Sequence, residues 1–218
     1  MINSIKLLIA VFASYFPTVA ISGYFTAWVA KKLGDATAEE QGFLTLNPLE
    51  HTRLFGLGIL LVSVVTRFPF IAAFGRQVPI DEHRMYGNFK KIKYLIALWA
   101  RPFANLWLSL LAIFVWVIFW KTIGFPYQIS QHYPMLVDAM QLLYVIFRQI
   151  NIISLMLELV FGLVVFIMSF IIPELSEESF FVIFVIQIYL LLLVWEFLAP
   201  HISHGVRMVE FLFSYIIS

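Results

Sequence analysis

The sequence contains no cysteine and little charge. The absence of cysteine excludes disulfide bonds, thiolate catalysis and zinc sites built from cysteine. Charged residues make up 12% of the 218 residues, whereas soluble domains contain about a quarter. The formal net charge is only +1, so a nucleic-acid partner is not expected. These shortages argue against a soluble protein and against a nucleic-acid-binding protein.

Apolar residues make up 62% of the chain and form runs that can cross a bilayer. A transmembrane helix needs about 20 mostly apolar residues. The runs that approach or exceed this length are 5–30, 54–74, 94–120, 151–172 and 180–198. Residues 135–150 are interrupted by charged and amide side chains, which predicts either an amphipathic helix at the interface or a sixth crossing. The predicted fold is an all-α polytopic membrane protein with five transmembrane helices, or six, in a single domain over residues 1–218.

The most basic stretch of the chain lies between the second and third predicted spans. Its basic residues are Arg76, Arg84, Lys90, Lys91, Lys93 and Arg101. Loops rich in lysine and arginine generally stay on the cytoplasmic side of a membrane. The basic loop 76–101 is therefore predicted to face the cytoplasm.

Four segments of the first half carry a resemblance to a known family. They are 27–38 (AWVAKKLGDATA), 42–51 (GFLTLNPLEH), 74–80 (FGRQVPI) and 100–106 (ARPFANL). In order and spacing they resemble the site-2 protease family of intramembrane zinc metalloproteases. The resemblance covers about residues 20–115, so residues 1–115 are interpreted as a site-2-protease-like core half and residues 135–218 as C-terminal helices.

The resemblance implies both a local structure and a set of motif residues. Residues 42–46 and 77–80 correspond to membrane-associated strands of the family, which implies a short β hairpin or strand pair. The residues that match the family motifs are Thr45, Asn47, Pro48, His51, Pro102 and Asn105. A polar cluster of Thr45, Asn47 and His51 is predicted to be structural, and Asn105 is predicted to donate a hydrogen bond between helices.

The catalytic groups of that family are missing from this sequence. In the family, two histidines of an H-E-x-x-H motif bind zinc, and the glutamate is the general base. The matching positions hold Ser22, Gly23 and Thr26 instead. The later helix should supply an aspartate in an L-D-G motif, but residues 161–169 contain no carboxylate. The resemblance therefore implies a degenerate member without catalytic residues and without a zinc cofactor.

Charged side chains inside apolar runs are costly when they face lipid, and they often mark functional contacts. Arg67, Arg148 and Glu158 are such residues. Glu158 is predicted to meet Arg101 or Arg67 of a neighbouring helix, or else a partner subunit. Arg67 alternatively extends its charge to the interface.

The sequence favours a non-catalytic subunit of a membrane complex, with other integral membrane proteins and lipid as partners. Two alternatives remain open. One is an active intramembrane metallopeptidase with an atypical site. The other is a small transporter or channel subunit, which needs polar residues along a path through several helices. His201 and His204 are three residues apart, but solvated histidines are favoured over a metal site there.

Overall fold

The structure is a computed structural model that describes residues 4–66, 74–122, 133–171 and 200–216. Within these ranges the chain is almost entirely helical. A short 3-10 turn, Glu82–Arg84, precedes the fifth helix. The helices in chain order are α1 (Ser4–Lys32), α2 (Thr37–Glu40), α3 (Pro48–His51), α4 (Leu54–Thr66), α5 (Lys90–Thr122), α6 (Pro134–Ile171) and α7 (200–216).

Three of these helices are long and apolar enough to cross a membrane. The candidate spans are Ile5–Lys32, Lys90–Lys121 and Pro134–Met168. Helix α4 is also apolar but is shorter, with 13 residues. The prediction of an integral membrane protein with several spanning helices therefore holds for the described residues. The predicted span at 180–198 lies outside them, so the total of five or six spans stays a prediction.

The helices α1, α5 and α6 pack against one another as a three-helix bundle. One core cluster joins Tyr15 and Val19 of α1 to Leu60 of α4 and Ile150 of α6. A buried amide strengthens the same contact, since Asn151 Nδ2 donates to Thr18 Oγ1 at 3.1 Å. The bundle thus holds α1 and α6 in direct contact.

Helix α6 differs from the sequence prediction. Residues 135–150 and residues 151–171 of the fourth predicted span, 151–172, belong to one continuous helix of 38 residues instead of two elements, and position 172 lies outside the described residues. At about 1.5 Å per residue this helix is about 57 Å long, more than a bilayer core needs. The interrupting Arg148 is accommodated because its Nη1 lies 2.8 Å from Glu210 Oε1 of α7.

The predicted strand pair is not confirmed. Neither 42–46 nor 77–80 is helical, and Phe43 and Val78 do pack together in one core cluster. However, the described residues contain no strand, and one isolated antiparallel bridge joins Thr52 to Gly75. The backbone explains this difference. Phe43 N donates to Ala38 O at 2.8 Å, which occupies it in closing α2, and a proline at position 79 has no N–H to donate.

The loops that follow α1 and precede α5 are tied together by Asp35. This residue is fully buried, and its Oδ2 accepts from Asp81 N at 2.7 Å while its Oδ1 accepts from Thr37 N at 2.9 Å. Gly34 precedes it with φ +109°, a conformation that ends the helix and that glycine adopts without strain. The end of α1 is thereby held beside the beginning of α5.

Candidate functional site: a buried cluster between α1, α3, α5 and α6

The positions that the resemblance assigns to the zinc-binding motif lie on the buried face of α1. Ser22 is 3% exposed and Thr26 is 4% exposed. Thr26 Oγ1 donates to the carbonyl oxygen of Ser22 at 2.8 Å, so this hydroxyl hydrogen is used within the helix. These side chains offer no imidazole and no carboxylate.

Gly23 is covered by the imidazole of His51. A Cβ atom added to Gly23 would lie 2.2 Å from His51 Nδ1 and 2.8 Å from His51 Cε1. Real atoms do not approach so closely, so His51 occupies the space that any side chain at position 23 would need. A glutamate cannot fit at this position unless the histidine moves.

His51 is held by the segment that leads into α3. Asn47 Oδ1 accepts from Leu49 N at 3.2 Å and caps this helix, with Pro48 in its first turn. His51 ends the helix and is fully buried. Its Nε2 lies 2.7 Å from the carbonyl oxygen of Thr45. Because a carbonyl only accepts, Nε2 carries the hydrogen, which leaves Nδ1 as a buried acceptor without a partner.

The burial of His51 makes the stability of the protein sensitive to acid. Burial is the main cause that lowers the pKa of His51, the bond to the Thr45 carbonyl opposes it, and the charge of Arg101 lowers the pKa further. A histidine in the unfolded chain has a pKa of about 6.5. The unfolded state therefore binds the proton first as the pH falls, and the stability due to neutral His51, complete above about pH 6.5, is lost toward the lower folded pKa.

We expect the melting temperature of the purified protein in detergent to fall between about pH 7.5 and about pH 5. A His51→Gln variant should show a smaller fall, because it has no group that titrates there. His83→Gln is the matched control, since the His83 side chain is 82% exposed. Equal pH dependence of wild type and His51→Gln would contradict this assignment.

A buried ion pair lies between α5 and α6 beside the same cluster. Arg101 Nε lies 3.8 Å from Glu158 Oε1, a separation that brings the charges together without a direct hydrogen bond. Asn105 Nδ2 donates to Glu158 Oε2 at 2.7 Å. Arg101 Nη2 also donates to the carbonyl oxygen of Arg76 at 2.7 Å, which fixes the loop against α5. Among the alternatives for Glu158, the structure therefore places it with Arg101 and Asn105.

A cavity of about 30 Å³ separates this ion pair from α1. Thr26, Arg101, Glu158 and Gly162 contribute to its lining. The space accommodates roughly one water molecule. It is too small for a peptide segment. The cavity therefore lies between Thr26 of α1 and the facing residues of α6.

The residues of the cluster do not fit the family's zinc ion. A catalytic zinc site uses three protein ligands such as histidine or a carboxylate. Positions 22, 23 and 26 provide none of these ligands. In the described part of the chain, no three histidine, cysteine, aspartate or glutamate side chains converge as a metal site would require.

The remaining candidate residues lie away from this cluster. Pro102 is buried within α5, and Arg148 pairs with Glu210, a contact that the sequence pattern did not indicate. His201 and His204 lie on α7, where both are exposed. Arg67 lies outside the described residues.

Comparison with known proteins supports the resemblance to zinc metalloproteases. Over 92 residues the chain is 36% identical to a Bacillus subtilis protein named "Putative zinc metalloprotease YwhC", a match that covers 42% of this chain and 38% of that protein. Over 123 residues it is 30% identical to "Putative zinc metalloprotease Rip2" of Mycolicibacterium smegmatis, a match that covers 55% of this chain and 44% of that protein.

The chain is thus similar to zinc metalloproteases. It spans less than half the length of each of these two relatives. No protein-family profile matches the chain, and no solved structure matches it significantly. Together with the three long apolar helices, the two relatives support a site-2-protease-like integral membrane protein.

Proposed function

We propose that this protein is a non-catalytic relative of the site-2 proteases that serves as a structural or binding subunit of a membrane complex. The observation that carries the proposal is the contact between Gly23 and His51. At the position of the general base there is no side chain, and an imidazole fills the neighbouring space. A carboxylate at this position is what the family's chemistry requires.

The surrounding scaffold supports the same proposal. The segments around the former motif pack as a connected unit, held by Asp35, the His51–Thr45 hydrogen bond and the Arg101–Glu158 pair. A fold that keeps its packing without the groups for catalysis suits a binding role. We also propose that the part of the predicted basic loop 76–101 that precedes α5, together with the lysines that begin α5, faces the cytoplasm, following the charge bias of membrane loops. Arg101, at the end of that predicted loop, is instead buried within α5.

Charges buried within the bundle do not add support for a partner. Glu158 contacts Arg101 and Asn105, and Arg148 contacts Glu210, so each has a partner within the chain. The contacts of Glu158 and Arg148 therefore give no reason to expect that either charge binds a neighbouring subunit. The subunit proposal depends instead on the loss of catalytic groups from a retained scaffold.

The proposal predicts that the purified protein holds no stoichiometric zinc. Ser22, Gly23 and Thr26 provide no suitable ligand, and His51 already uses Nε2 as a donor to Thr45. Metal analysis after purification in a buffer without chelator measures this directly. A site-2 protease with an intact H-E-x-x-H motif, purified in parallel, is the positive control. One zinc per chain, lost on mutation of His51, would favour the alternative of an atypical peptidase.

The subunit role itself is tested by purification of the full-length protein in a mild detergent. We expect another integral membrane protein to remain bound in fixed proportion and to be identified by mass spectrometry. A protein that runs as a lone monomer would remove the support for a subunit. A transporter is less favoured, because the sequence places few polar residues along a path through several helices.

A further inference from the structure

A second, larger cavity lies beside the loop 76–80. Its volume is about 420 Å³, within the roughly 300–1,000 Å³ that is typical of ligand sites. The cavity is bounded by this loop, by α5 and α6, and by the segment between α2 and α4. Its lining residues with polar or charged side chains are Gln41, Arg53, Arg76, Gln77 and Tyr94.

The lining of this cavity is cationic at one side. Arg53 and Arg76 are both exposed, and no acidic residue contributes to the lining. Arg76 lies over the ring of Phe43, with 4.9 Å between its Cζ and the ring centroid, so its guanidinium is held at the cavity. By contrast, Arg84, Arg101 and Arg148 are each paired with a glutamate. Within the described ranges, neither cavity arginine has an ion pair.

The remaining lining is apolar and lies deeper in the bundle. It includes Val78 and Ile80 of the loop, Leu98 of α5 and Phe161 of α6. A ligand that fits this arrangement combines an anionic group with a hydrocarbon portion. Planar guanidinium groups bind phosphate through two parallel hydrogen bonds, which a single ammonium group cannot do.

The location of the cavity matches the boundary of a membrane. The last turn of α1 ends in Lys31 and Lys32, and α5 begins at Lys90. These two ends lie together, since Ala30 and Ala97 share one core cluster. The first candidate span ends at Lys32 and the second begins at Lys90. Tyr94 and Leu98, which line the cavity, lie one to two turns further along α5. Because the headgroup region begins where the apolar part of a spanning helix ends, lipid phosphate groups are expected near this level.

We propose that this cavity binds an anionic phospholipid. The phosphate group lies between Arg53 and Arg76, and the beginning of an acyl chain packs along Val78, Leu98 and Phe161. The proposal is independent of the subunit role, because it needs only this cavity and its charges. The two arginines distinguish this site from general lipid contact on the outer faces of the helices, where the described side chains are mainly apolar.

The test is native mass spectrometry of the full-length protein in a neutral detergent, with phosphatidylglycerol, phosphatidylcholine or inorganic phosphate added. The cavity variant is Arg53→Gln/Arg76→Gln. The matched control is Lys31→Gln/Lys32→Gln, which removes the same charge at the same membrane boundary from residues that do not line the cavity. A Leu98→Trp variant fills the apolar part and keeps both arginines.

We expect wild type to retain phosphatidylglycerol in preference to phosphatidylcholine, and to bind inorganic phosphate much more weakly. The cavity variant should bind phosphatidylglycerol about 10- to 30-fold more weakly, from the loss of two cations near the surface. Leu98→Trp should also weaken binding, and the lysine control should change it less than about threefold. Equal retention of both lipids, equal losses in the cavity and control variants, or phosphate binding as tight as lipid binding would overturn the proposal.

Discussion

Replacement of Glu158 by leucine is expected to destabilise the folded protein by about 3–5 kcal/mol, because it leaves a buried arginine without a counter-charge. The Arg101 side chain is 7% exposed, and Glu158 Oε1 lies 3.8 Å from its Nε. Asn105 also loses the acceptor of its 2.7 Å hydrogen bond. The measurement is the melting temperature of the purified variant in detergent, together with the fraction that elutes as a single species.

The double variant Arg101→Met/Glu158→Leu distinguishes the effect of an unpaired buried charge from the effect of altered side-chain packing. It removes both charges, so it should recover much of the stability that Glu158→Leu loses. The exposed pair Arg84–Glu40 supplies the control, since Glu40→Leu should change the melting temperature little. If Glu158→Leu melts like wild type, or if the double variant is less stable than either single variant, the pair does not have the role assigned here.

Replacement of Gly23 by alanine is expected to destabilise the protein by about 1–3 kcal/mol, although alanine favours a helix over glycine by about 1 kcal/mol. The new Cβ would overlap the imidazole of His51, from which it would be 2.2 Å away. Thermal melting of the two proteins in the same detergent measures the difference. Gly23→Glu should be worse, and it should not restore peptidase activity, since Ser22 and Thr26 still provide no zinc ligand.

Gly58 is the matched control for this substitution. A Cβ at Gly58, within α4, meets nothing within 4 Å, so Gly58→Ala should be neutral or stabilising. In a His51→Ala background, the cost of Gly23→Ala should largely disappear, because the overlapping ring is gone. A Gly23→Ala variant as stable as Gly58→Ala would show that the His51 ring does not cover position 23.

The spanning helices α1 and α5 could be predicted from the sequence because hydropathy is a local property. Residues 5–30 and 94–120 were predicted, and the helices run over Ser4–Lys32 and Lys90–Thr122. The continuous α6 could not, since the ion pair that Arg148 makes within the structure is with Glu210, which is 62 residues away in sequence. The strand pair is not confirmed for a local reason, because Gly42 N and Phe43 N donate to carbonyl oxygens of α2 and Pro79 has no N–H to donate.

The sequence indicates which residues of α1 belong to the candidate site, but it does not predict which side chains contact them. The resemblance assigns Ser22, Gly23 and Thr26 to the motif positions, and this assignment stays a prediction. The approach of His51 to Gly23 depends on how the short helix capped by Asn47 packs against α1. The hydrophobic pattern of the sequence does not predict this tertiary contact. Among the open partners of Glu158, only the packing of α5 against α6 selects Arg101.

The central claim is that the chain is a subunit without zinc chemistry, and one native mass spectrum of the gently solubilised full-length protein tests it. We expect the chain to appear with a second membrane protein in fixed proportion and without the added mass of a zinc ion. A spectrum of the lone chain carrying one zinc ion, which a chelator removes, would contradict it.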